Sequence, residues 1–430
     1  MCRKIGGGQM SSNMYVARSS DPKILERAES GGAVSSILRF ALEAGEVDGV
    51  VTTKARNGNR YAGVPALITD PEELIESAGS LHCSLPNIPR FVKEYLDGAS
   101  KMKLAVVGKP CDIRAIIELQ KREQIDLDNV ILIGLNCTGT ISPATAKQMF
   151  IDEFKVNPNE VIREDIDEGK LAVFLEDGNT KSLDLMKLEE KGYGRRENCK
   201  RCEINIPIFA DLACGKWGTE EEEDRTTFIE ACSNKGRLLI EEAIEKGYIT
   251  SDKPDKKSIH MRAEKDRAEK ELARLWKERD FKPILDLDPS ERLTYWLDEF
   301  SKCIKCYGCR DACPICYCDH CLLEADRGFL EGGEIPPDTA FPLTRLAHVA
   351  DSCVNCGQCQ DACPMELPLS KLFSLLNAKL SDVFDYIPGV DVNQKQPLSD
   401  VVMEELQVDD TFLDIASMNK TIQRESSKGS

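Results

Sequence analysis

Two copies of one cysteine pattern constrain this chain more than any other feature. "CIKCYGCRDACP" begins at Cys303 and "CVNCGQCQDACP" begins at Cys353, and both read C-x2-C-x2-C-x3-C-P. Thiolates are soft ligands that suit iron, and four of them complete a 4Fe–4S site. The alternative is a pair of zinc ribbons, but zinc sites usually use two separated C-x2–4-C pairs. The repeats therefore predict a ferredoxin-like domain with two clusters.

The fourth cysteine of each repeat is predicted to cross to the other cluster, as it does in two-cluster ferredoxins. The predicted ligands of one 4Fe–4S cluster are Cys303, Cys306, Cys309 and Cys363. The predicted ligands of the other are Cys353, Cys356, Cys359 and Cys313. Such a domain conducts electrons but selects no substrate, so the chemistry is expected elsewhere in the chain.

Three further cysteines, Cys316, Cys318 and Cys321, follow the first repeat at once. Two interpretations stay open: a redox-inert loop packed beside the clusters, or ligands of an additional metal. His320 is an awkward fourth ligand for such a metal because it adjoins Cys321.

Composition places limits on the function. The chain has 430 residues, 19 cysteines and a formal net charge of −18, which argues against general nucleic-acid binding. We find no apolar run of about 18 residues, as a membrane span requires, and no apolar core of a signal peptide at the N-terminus. We therefore expect a cytoplasmic protein that does not span a membrane, and we expect the clustered cysteines to bind metal.

The remaining sequence divides into recognisable parts. Residues 1–250 alternate short Val/Ile-rich runs such as "KLAVVG" with helical segments such as "CDIRAIIELQKREQ", which predicts an α/β domain with parallel strands. Residues 251–300 predict a helical linker with an apolar stripe at Ala268, Leu272, Leu275 and Trp276. It is either a solvated connector or a partner-binding helix. Residues 301–370 form the ferredoxin-like domain, and residues 371–430 form a helical extension and tail.

Cysteines also follow two predicted strands of the α/β domain. "KLAVVGKPCD" and "NVILIGLNCT" place Cys111 and Cys137 beyond the C-terminal ends of these strands. Neighbouring parallel strands lie about 5 Å apart, so both cysteines can reach one centre. With the C-x2-C pair Cys199 and Cys202 they supply four thiolates for a third 4Fe–4S cluster. Cys214 is the competing fourth ligand.

Near the start, Ser30, Gly31 and Gly32 open a predicted helix. Free N–H groups at a helix N-terminus suit a phosphate, although a simple helix cap explains the glycines equally well. The segment does not match G-x-G-x-x-G, so a Rossmann site is not supported.

Taken together, "ESGGAVSSILRFALEAGEVDGVV", "GKPCDIRA", "GLNCTGTIS", "CKRCE", "ADLACGKWG" and the ferredoxin-like domain resemble the beta subunits of coenzyme F420 hydrogenases and dehydrogenases. The seven-cysteine run is most similar to the formate dehydrogenase branch of methanogenic archaea. The resemblance covers residues from about 25 to about 370.

The resemblance implies FAD in the N-terminal domain, coenzyme F420 as the substrate that binds over it, and a flavin-proximal cluster on Cys111, Cys137, Cys199 and Cys202. The residues that it implies for the cofactors are Ser30, Gly31, Gly32, Ser35, Gly79, Ser80, Gly215 and Trp217. Lys54, in a basic turn, either neutralises a phosphate or the acidic tail of F420, or is simply solvated. The histidines, among them His82, lack a catalytic spacing and are expected to serve packing or to lie at the surface.

Electron counting then orders the cofactors. Deazaflavins exchange hydride and clusters exchange single electrons, so a flavin must stand between them. The resemblance implies a molybdopterin-type formate dehydrogenase alpha subunit as partner, with heterodisulfide reductase subunits as further candidates. The alternatives are the same subunit in a hydrogenase, a heterodisulfide reductase or an F420 dehydrogenase complex, and a pure iron–sulfur wiring subunit.

Overall fold

Val- and Ile-rich runs form the centre of a large sheet in the computed structural model, which describes residues 13–219, 225–318, 321, 323 and 339–398. The strands are β1 (Met14–Ser19), β2 (Gly49–Ala55), β3 (Gly63–Ile68), β4 (Leu104–Gly108), β5 (Val130–Leu135), β6 (Val161–Asp167), β7 (Lys170–Leu175), β8 (Thr180–Asp184), β9 (Leu212–Gly215), β10 (Thr227–Ala231) and β11 (Ile249–Asp252). The α-helices are α1 (Pro22–Arg27), α2 (Ala33–Glu43), α3 (Ile88–Tyr95), α4 (Pro110–Gln120), α5 (Pro143–Met149), α6 (Leu185–Glu190), α7 (Glu197–Lys200), α8 (Asn234–Glu245), α9 (Lys256–Leu285), α10 (Pro289–Phe300), α11 (Gly308–Asp311), α12 (Ala340–Val349), α13 (Gln358–Asp361) and α14 (Leu369–Phe384).

The large sheet has the strand order β11-β1-β10-β9-β5-β4-β2-β3. Its central strands β2, β4, β5 and β9 pair in parallel, whereas the pairs toward both edges are antiparallel. The predicted α/β class is therefore confirmed, and the parallel pairing holds for the centre of the sheet. Helices cover both faces of this centre, as an all-parallel region requires.

Successive residues of the central strands alternate between two hydrophobic cores. Val50 of β2 packs on the side of α2 and α8, while Val51 packs on the side of α3 and α4. Ala105 and Val106 of β4 divide in the same way. Because both faces are buried, these strands are apolar throughout, which is what the sequence pattern indicated.

A second sheet, which the sequence analysis did not predict, consists of β6, β7 and β8 in antiparallel order. Burial alternates along β7, where Leu171, Val173 and Leu175 are buried, and this side of the sheet packs on Phe150 and Phe154 next to α5. Short turns with positive φ at Glu168 and Gly169 join the first two strands. The sheet supplies Asp165, which reaches the cavity described below.

The linker is helical, and the predicted apolar stripe on α9 is right only in part. Trp276 is buried and Leu272 half-buried, whereas Ala268 and Leu275 are exposed. The buried residues of α9 are Arg262, Ala273, Trp276, Phe281 and Ile284. Charged side chains of α9 add further contacts. Its ion pairs to the N-terminal domain are Arg262–Glu230, Lys265–Asp167, Glu269–Arg195 and Asp280–Arg201.

The segment after α14 returns to the N-terminal domain and folds over α4. The buried carboxylate of Glu118 accepts hydrogen bonds from the Tyr386 hydroxyl (2.5 Å), the Gly389 N–H (2.6 Å) and the Gln396 amide (2.8 Å), and it pairs with Lys121. The end of the predicted tail, after residue 398, lies outside the described residues. Among the helices that are described, none has the length and apolar character needed to cross a membrane.

Candidate functional site

The carboxyl ends of β4 and β5 place two of the predicted ligands at one edge of the sheet. The two strands are adjacent and parallel, which confirms the arrangement inferred from the sequence. Cys111 lies in the first turn of α4, directly after Pro110, and Cys137 lies two residues beyond the end of β5. Ligand sites of open α/β sheets form at this edge.

Cys199 lies in α7, Cys202 lies two residues after the end of this helix, and both approach the same edge of the sheet. Two hydrogen bonds hold the loops together: the Cys137 N–H donates to the Asn205 carbonyl (3.0 Å), and the Asn205 side-chain Nδ2 donates to the Cys137 carbonyl (2.9 Å). A side chain at Gly139 would lie 3.1 Å from the Cys199 Cβ, so the glycine permits this close approach. We call Cys111, Cys137, Cys199 and Cys202 the proximal quartet.

Cys214 is less suited to be a member of this set. It lies within β9, is fully buried, packs in the hydrophobic core with Ile37 and Leu239, and also borders the cavity described below. Cys202, by contrast, lies close enough to Cys199 and Cys137 for their thiols to influence one another's pKa. The arrangement favours Cys202 as the fourth ligand.

The electrostatics of the proximal quartet suit thiolate ligands. Burial raises the pKa of the Cys137 thiol to about 12 and that of Cys111 well above its usual range, so a bound metal must supply the charge that favours ionised sulfur. Burial lowers the pKa of Lys109, but Asp112, Cys111 and Cys137 raise it by more. Lys109 therefore stays protonated beside the quartet.

The ferredoxin-like cysteines line two separate cavities. One cavity is bordered by Cys303, Cys306, Cys309 and Cys363, which we call the outer quartet. The other is bordered by Cys313, Cys353, Cys356 and Cys359, which we call the middle quartet, with Cys309 at the boundary. Each fourth cysteine thus lies with the opposite repeat, which is the crossed arrangement that the ligand assignment requires.

The positions of the cysteine sulfurs do not match a preformed site for a single ion. Four Zn–S bonds of 2.3 Å in a tetrahedron would place the sulfurs about 3.8 Å apart. Among the described residues, however, no three cysteine sulfurs lie within 4.8 Å of one another. The cysteines converge around spaces wider than one ion, so the donor set fits 4Fe–4S clusters.

Asn198 joins the proximal and middle quartets. Its amide donates to the Cys356 carbonyl (2.8 Å) and lies 3.6 Å from the Cys199 sulfur. A Cβ at Gly357, which has a φ of +74°, would lie 2.0 Å from the Asn198 Oδ1. Arg196 also spans this junction, between Cys199 and Cys356, and pairs with Asp361. The two quartets are therefore held side by side, although no sequence motif predicted either contact.

The three surplus cysteines do not gather into a metal site within the described residues. Cys318 is exposed, and Cys321 is buried in the apolar core of the ferredoxin-like domain. The Cys316 sulfur accepts a hydrogen bond from Arg345 (3.8 Å). His320, the awkward fourth ligand, lies outside the described residues.

A large cavity borders the proximal quartet through Cys137 and Lys109. Its volume is about 250 Å³, just below the roughly 300–1,000 Å³ of a typical small-molecule site. The predicted cofactor residues that line it are Ser30, Gly32, Ser35, Gly79, Ser80, Gly215 and Trp217. Gly31 and Lys54 are not among the lining residues, and Lys54 instead pairs with Glu76.

The two glycines that open α2 have different roles. Gly32 caps the helix in the left-handed conformation, with a φ of +69°, where glycine is favoured. A Cβ at Gly31 would lie 2.5 Å from the Ala17 carbonyl oxygen and 2.7 Å from the Thr227 nitrogen. Gly31 therefore allows the loop to pack against β1 and β10, while its neighbours Ser30 and Gly32 face the cavity.

The sequence analysis missed a charged group on the cavity wall. The His82 Nε2 lies 3.3 Å from the Glu29 Oε1, and Asp165, which pairs with Lys216, lies close to both. Burial lowers the pKa of His82, but Glu29 raises it by more, with Glu164 and Asp165 adding to the effect, to about 9. His82 is thus an imidazolium on the cavity wall and not a packing residue.

Family comparisons agree with the division of the chain into an N-terminal domain and a ferredoxin-like domain. Residues 14–90 match the family described as "Coenzyme F420 hydrogenase/dehydrogenase, beta subunit N-term", and residues 101–257 match its C-terminus. Residues 299–367 match a "4Fe-4S dicluster domain".

Two relatives match nearly their whole length. The chain is 46% identical over 385 residues to the F420-dependent formate dehydrogenase subunit beta of Methanocaldococcus jannaschii, covering 89% of this chain and 98% of the relative. It is 44% identical to the F420-dependent formate dehydrogenase 1 subunit beta of Methanococcus maripaludis, with 89% and 96% covered. In fold, it is similar to a chain of the F420-reducing [NiFe] hydrogenase complex from Methanosarcina barkeri, with a TM-score of 0.55 and 19% identity, covering 63% of this chain and 92% of that one.

Proposed function

Because the chain belongs to the coenzyme F420 hydrogenase/dehydrogenase beta subunit family, we propose that it is the electron-transfer subunit of a formate dehydrogenase. It passes electrons between iron–sulfur clusters and FAD and exchanges hydride with coenzyme F420, in either direction. A molybdopterin-type alpha subunit is its proposed catalytic partner. The proposed FAD and F420 sites lie in residues 1–250, and the two proposed ferredoxin-type clusters lie in residues 301–370.

The observation that carries the proposal is the spatial order of the sites. The outer quartet adjoins the middle quartet at Cys309, and the middle quartet adjoins the proximal quartet at Asn198. The proximal quartet in turn borders the large cavity through Cys137. Three clusters in this order would form a continuous path from the ferredoxin-like domain to the cavity.

The cavity is the proposed site of FAD, with F420 bound against it. The seven predicted cofactor residues on its wall would hold FAD, whereas Gly31 would act through backbone packing. When bound, the flavin supplies the exchange between one-electron and two-electron steps. The protein's part is to keep the cavity next to Cys137 and to orient the two rings.

Length favours formate dehydrogenase over hydrogenase as the complex served. The formate dehydrogenase relatives correspond to 89% of this chain. The hydrogenase chain of similar fold corresponds to only 63% of it, although 92% of that chain is matched. More than a third of this chain therefore has no counterpart there.

Anaerobic purification of the full chain tests the proposal. We expect FAD, about twelve irons per chain from three 4Fe–4S clusters, and reduction of F420 with reduced viologen. Formate-oxidising activity should co-purify with it from its source. A protein with about eight irons, no flavin and no F420 activity would instead be a pure wiring subunit.

A matched pair of variants tests the third cluster. Cys137→Ser should lose about four irons and uncouple F420 reduction from viologen, while both ferredoxin-type clusters remain. Cys214→Ser should keep its full iron content, because Cys214 lies in the hydrophobic core. If the two variants exchange these behaviours, Cys214 is the ligand and the quartet is misassigned.

A further inference from the structure

One buried cation lies between the outer and middle quartets. Arg345, on α12, is 3% exposed and lines both cysteine-bordered cavities. Its position next to Cys309 and Cys313 places it where the two quartets meet. It is thus the natural electrostatic contact between the two proposed ferredoxin-type clusters.

The charge of Arg345 is not neutralised by a carboxylate within the part of the chain that the structure describes. No Asp or Glu of those residues lies within 4.0 Å of its guanidinium, and its Nε has no hydrogen-bond partner there. Its guanidinium donates to the sulfur of Cys316 at 3.8 Å and also contacts the Cys313 thiol. Burial lowers its pKa, but the thiols of Cys313, Cys316 and Cys309 raise it by more.

A second arginine occupies the next junction and offers a comparison. Arg114, on α4, is 4% exposed and donates to the Val354 carbonyl (3.1 Å) and the Pro388 carbonyl (2.6 Å). It faces Cys353 of the middle quartet on one side, and Cys202 and Cys111 of the proximal quartet on the other. Each arginine thus adjoins a different pair of quartets.

We infer that Arg345, anchored by Cys316, sets the reduction potentials of the outer and middle clusters together. The inference rests on the cluster assignment of the proposed function. Reduction adds one negative charge to a cluster, and a buried cation stabilises that charge strongly where the dielectric constant is low. Net charge and hydrogen bonds around the sulfurs are known determinants of cluster potential. Arg345 therefore raises both potentials and keeps them close, which favours electron exchange in either direction.

The inference also gives Cys316 a role. Its sulfur lies outside both ferredoxin-type quartets and contacts the guanidinium of Arg345. One of the three surplus cysteines thereby becomes a positioning residue for Arg345.

The test is an EPR-monitored redox titration of the full-length chain with its clusters, without formate or F420. Arg345→Gln should make reduction of the outer and middle clusters at least tenfold less favourable, which corresponds to at least 59 mV for one electron, and should leave the proximal cluster unchanged. Arg345→Lys should stay within about threefold of the wild type, because it keeps the charge. Arg114→Gln should instead shift the middle and proximal clusters and leave the outer one unchanged.

Iron content separates this test from that of the proposed function. The variants must retain about twelve irons. A low iron content in the wild type would refute the cluster assignment and the inference with it, whereas a full iron content with unchanged potentials would refute the inference alone. If Arg345→Gln does not assemble its clusters, Cys316→Ala is the deciding variant. It frees the Arg345 side chain and should lower the reduction potentials of the outer and middle clusters. Unchanged outer and middle potentials, or an equal shift in Arg345→Lys and Arg345→Gln, would overturn the inference.

Discussion

The charge of His82 depends on a single neighbour, and removing that neighbour should change it measurably. His82 pairs with Glu29 at 3.3 Å on the wall of the large cavity. Glu29→Gln keeps the size and the hydrogen-bonding capacity of the side chain but removes its negative charge. Since burial favours neutral imidazole, we expect the variant to carry an uncharged His82 at neutral pH.

The magnitude follows from the two pKa values. The ordinary value of 6.5 and the value of about 9 in the folded protein differ by about 3 kcal/mol of preferential interaction with the protonated form. Glu29 is the largest of the contributions that raise it, and Glu164 and Asp165 contribute less. We therefore expect the pKa of His82 to fall to about 7 or below in Glu29→Gln.

Histidine-selective NMR provides the assay, because the chain contains only four histidines. The Cε1–H signal of His82 is assigned by its loss in His82→Gln and is then titrated in wild type and Glu29→Gln. His348, whose pKa is lowered by burial and by Arg345, serves as an internal reference that should not move. A His82 signal that still titrates near 9 in Glu29→Gln would refute the reasoning.

The same pair predicts a dependence of stability on pH. The raised pKa of His82 contributes stability in full below 6.5, and this contribution is lost as the pH rises through about 9. Burial raises the pKa of Glu29, but His82 and Lys216 lower it by more, so its contribution is present above 4.5 and is lost as the pH falls below that. From pH 6.5 to 9 the wild type should therefore lose up to about 3 kcal/mol that Glu29→Gln does not lose, which urea unfolding monitored by tryptophan fluorescence can measure.

Three further variants test contacts outside the quartets. Gly31→Ala should abolish FAD retention, because its Cβ would meet the Ala17 carbonyl at 2.5 Å. Gly45→Ala, with open space around it, should retain FAD. Equal retention of FAD by both variants would contradict the packing role of Gly31. Glu118→Gln should weaken docking of the C-terminal segment by about 2 kcal/mol, seen as faster proteolysis of that segment; an unchanged cleavage rate would contradict its role as the anchor. Asn198→Ala should slow viologen-to-F420 electron transfer several-fold at constant iron and FAD content, and an unchanged rate would show that its bridging bonds are dispensable.

The sequence predicted those structural relations that depend on residues close together in the chain. Spacing within each repeat restricts which cysteines can share a centre, and the strand-then-cysteine pattern correctly predicted that the strands before Cys111 and Cys137 are adjacent and parallel. Those inferences need only short-range geometry. The wall of the cavity, in contrast, brings together Glu29, His82 and Asp165 from three distant segments, and no single stretch contains their relation.

The prediction of an apolar stripe on the linker helix was inaccurate for a different physical reason. A helical stripe is normally sought among apolar residues. However, α9 also docks through charged side chains: Lys265 pairs with Asp167 of the second sheet, and Glu269 pairs with Arg195. Their burial is possible only because each charge is paired. Hydrophobic periodicity cannot reveal a face built in this way, so it selected Ala268 and Leu275, which are exposed.

Overall charge does not reveal how charge is distributed inside the protein. The chain carries a formal net charge of −18, yet buried cations surround the proposed clusters: Lys109, Arg114, Arg195, Arg196, Lys200, Arg201, Lys305 and Arg345. Four thiolates bring four negative charges into a region of low dielectric constant, which is costly unless positive charges lie close by. The basic run "RRENCKRC" therefore lies buried beside the proximal quartet, where Arg195, Arg196 and Arg201 also pair with carboxylates. Basic residues within a few positions of a C-x2-C pair, in a chain that is acidic overall, are the signal that could have predicted these buried cations from the sequence.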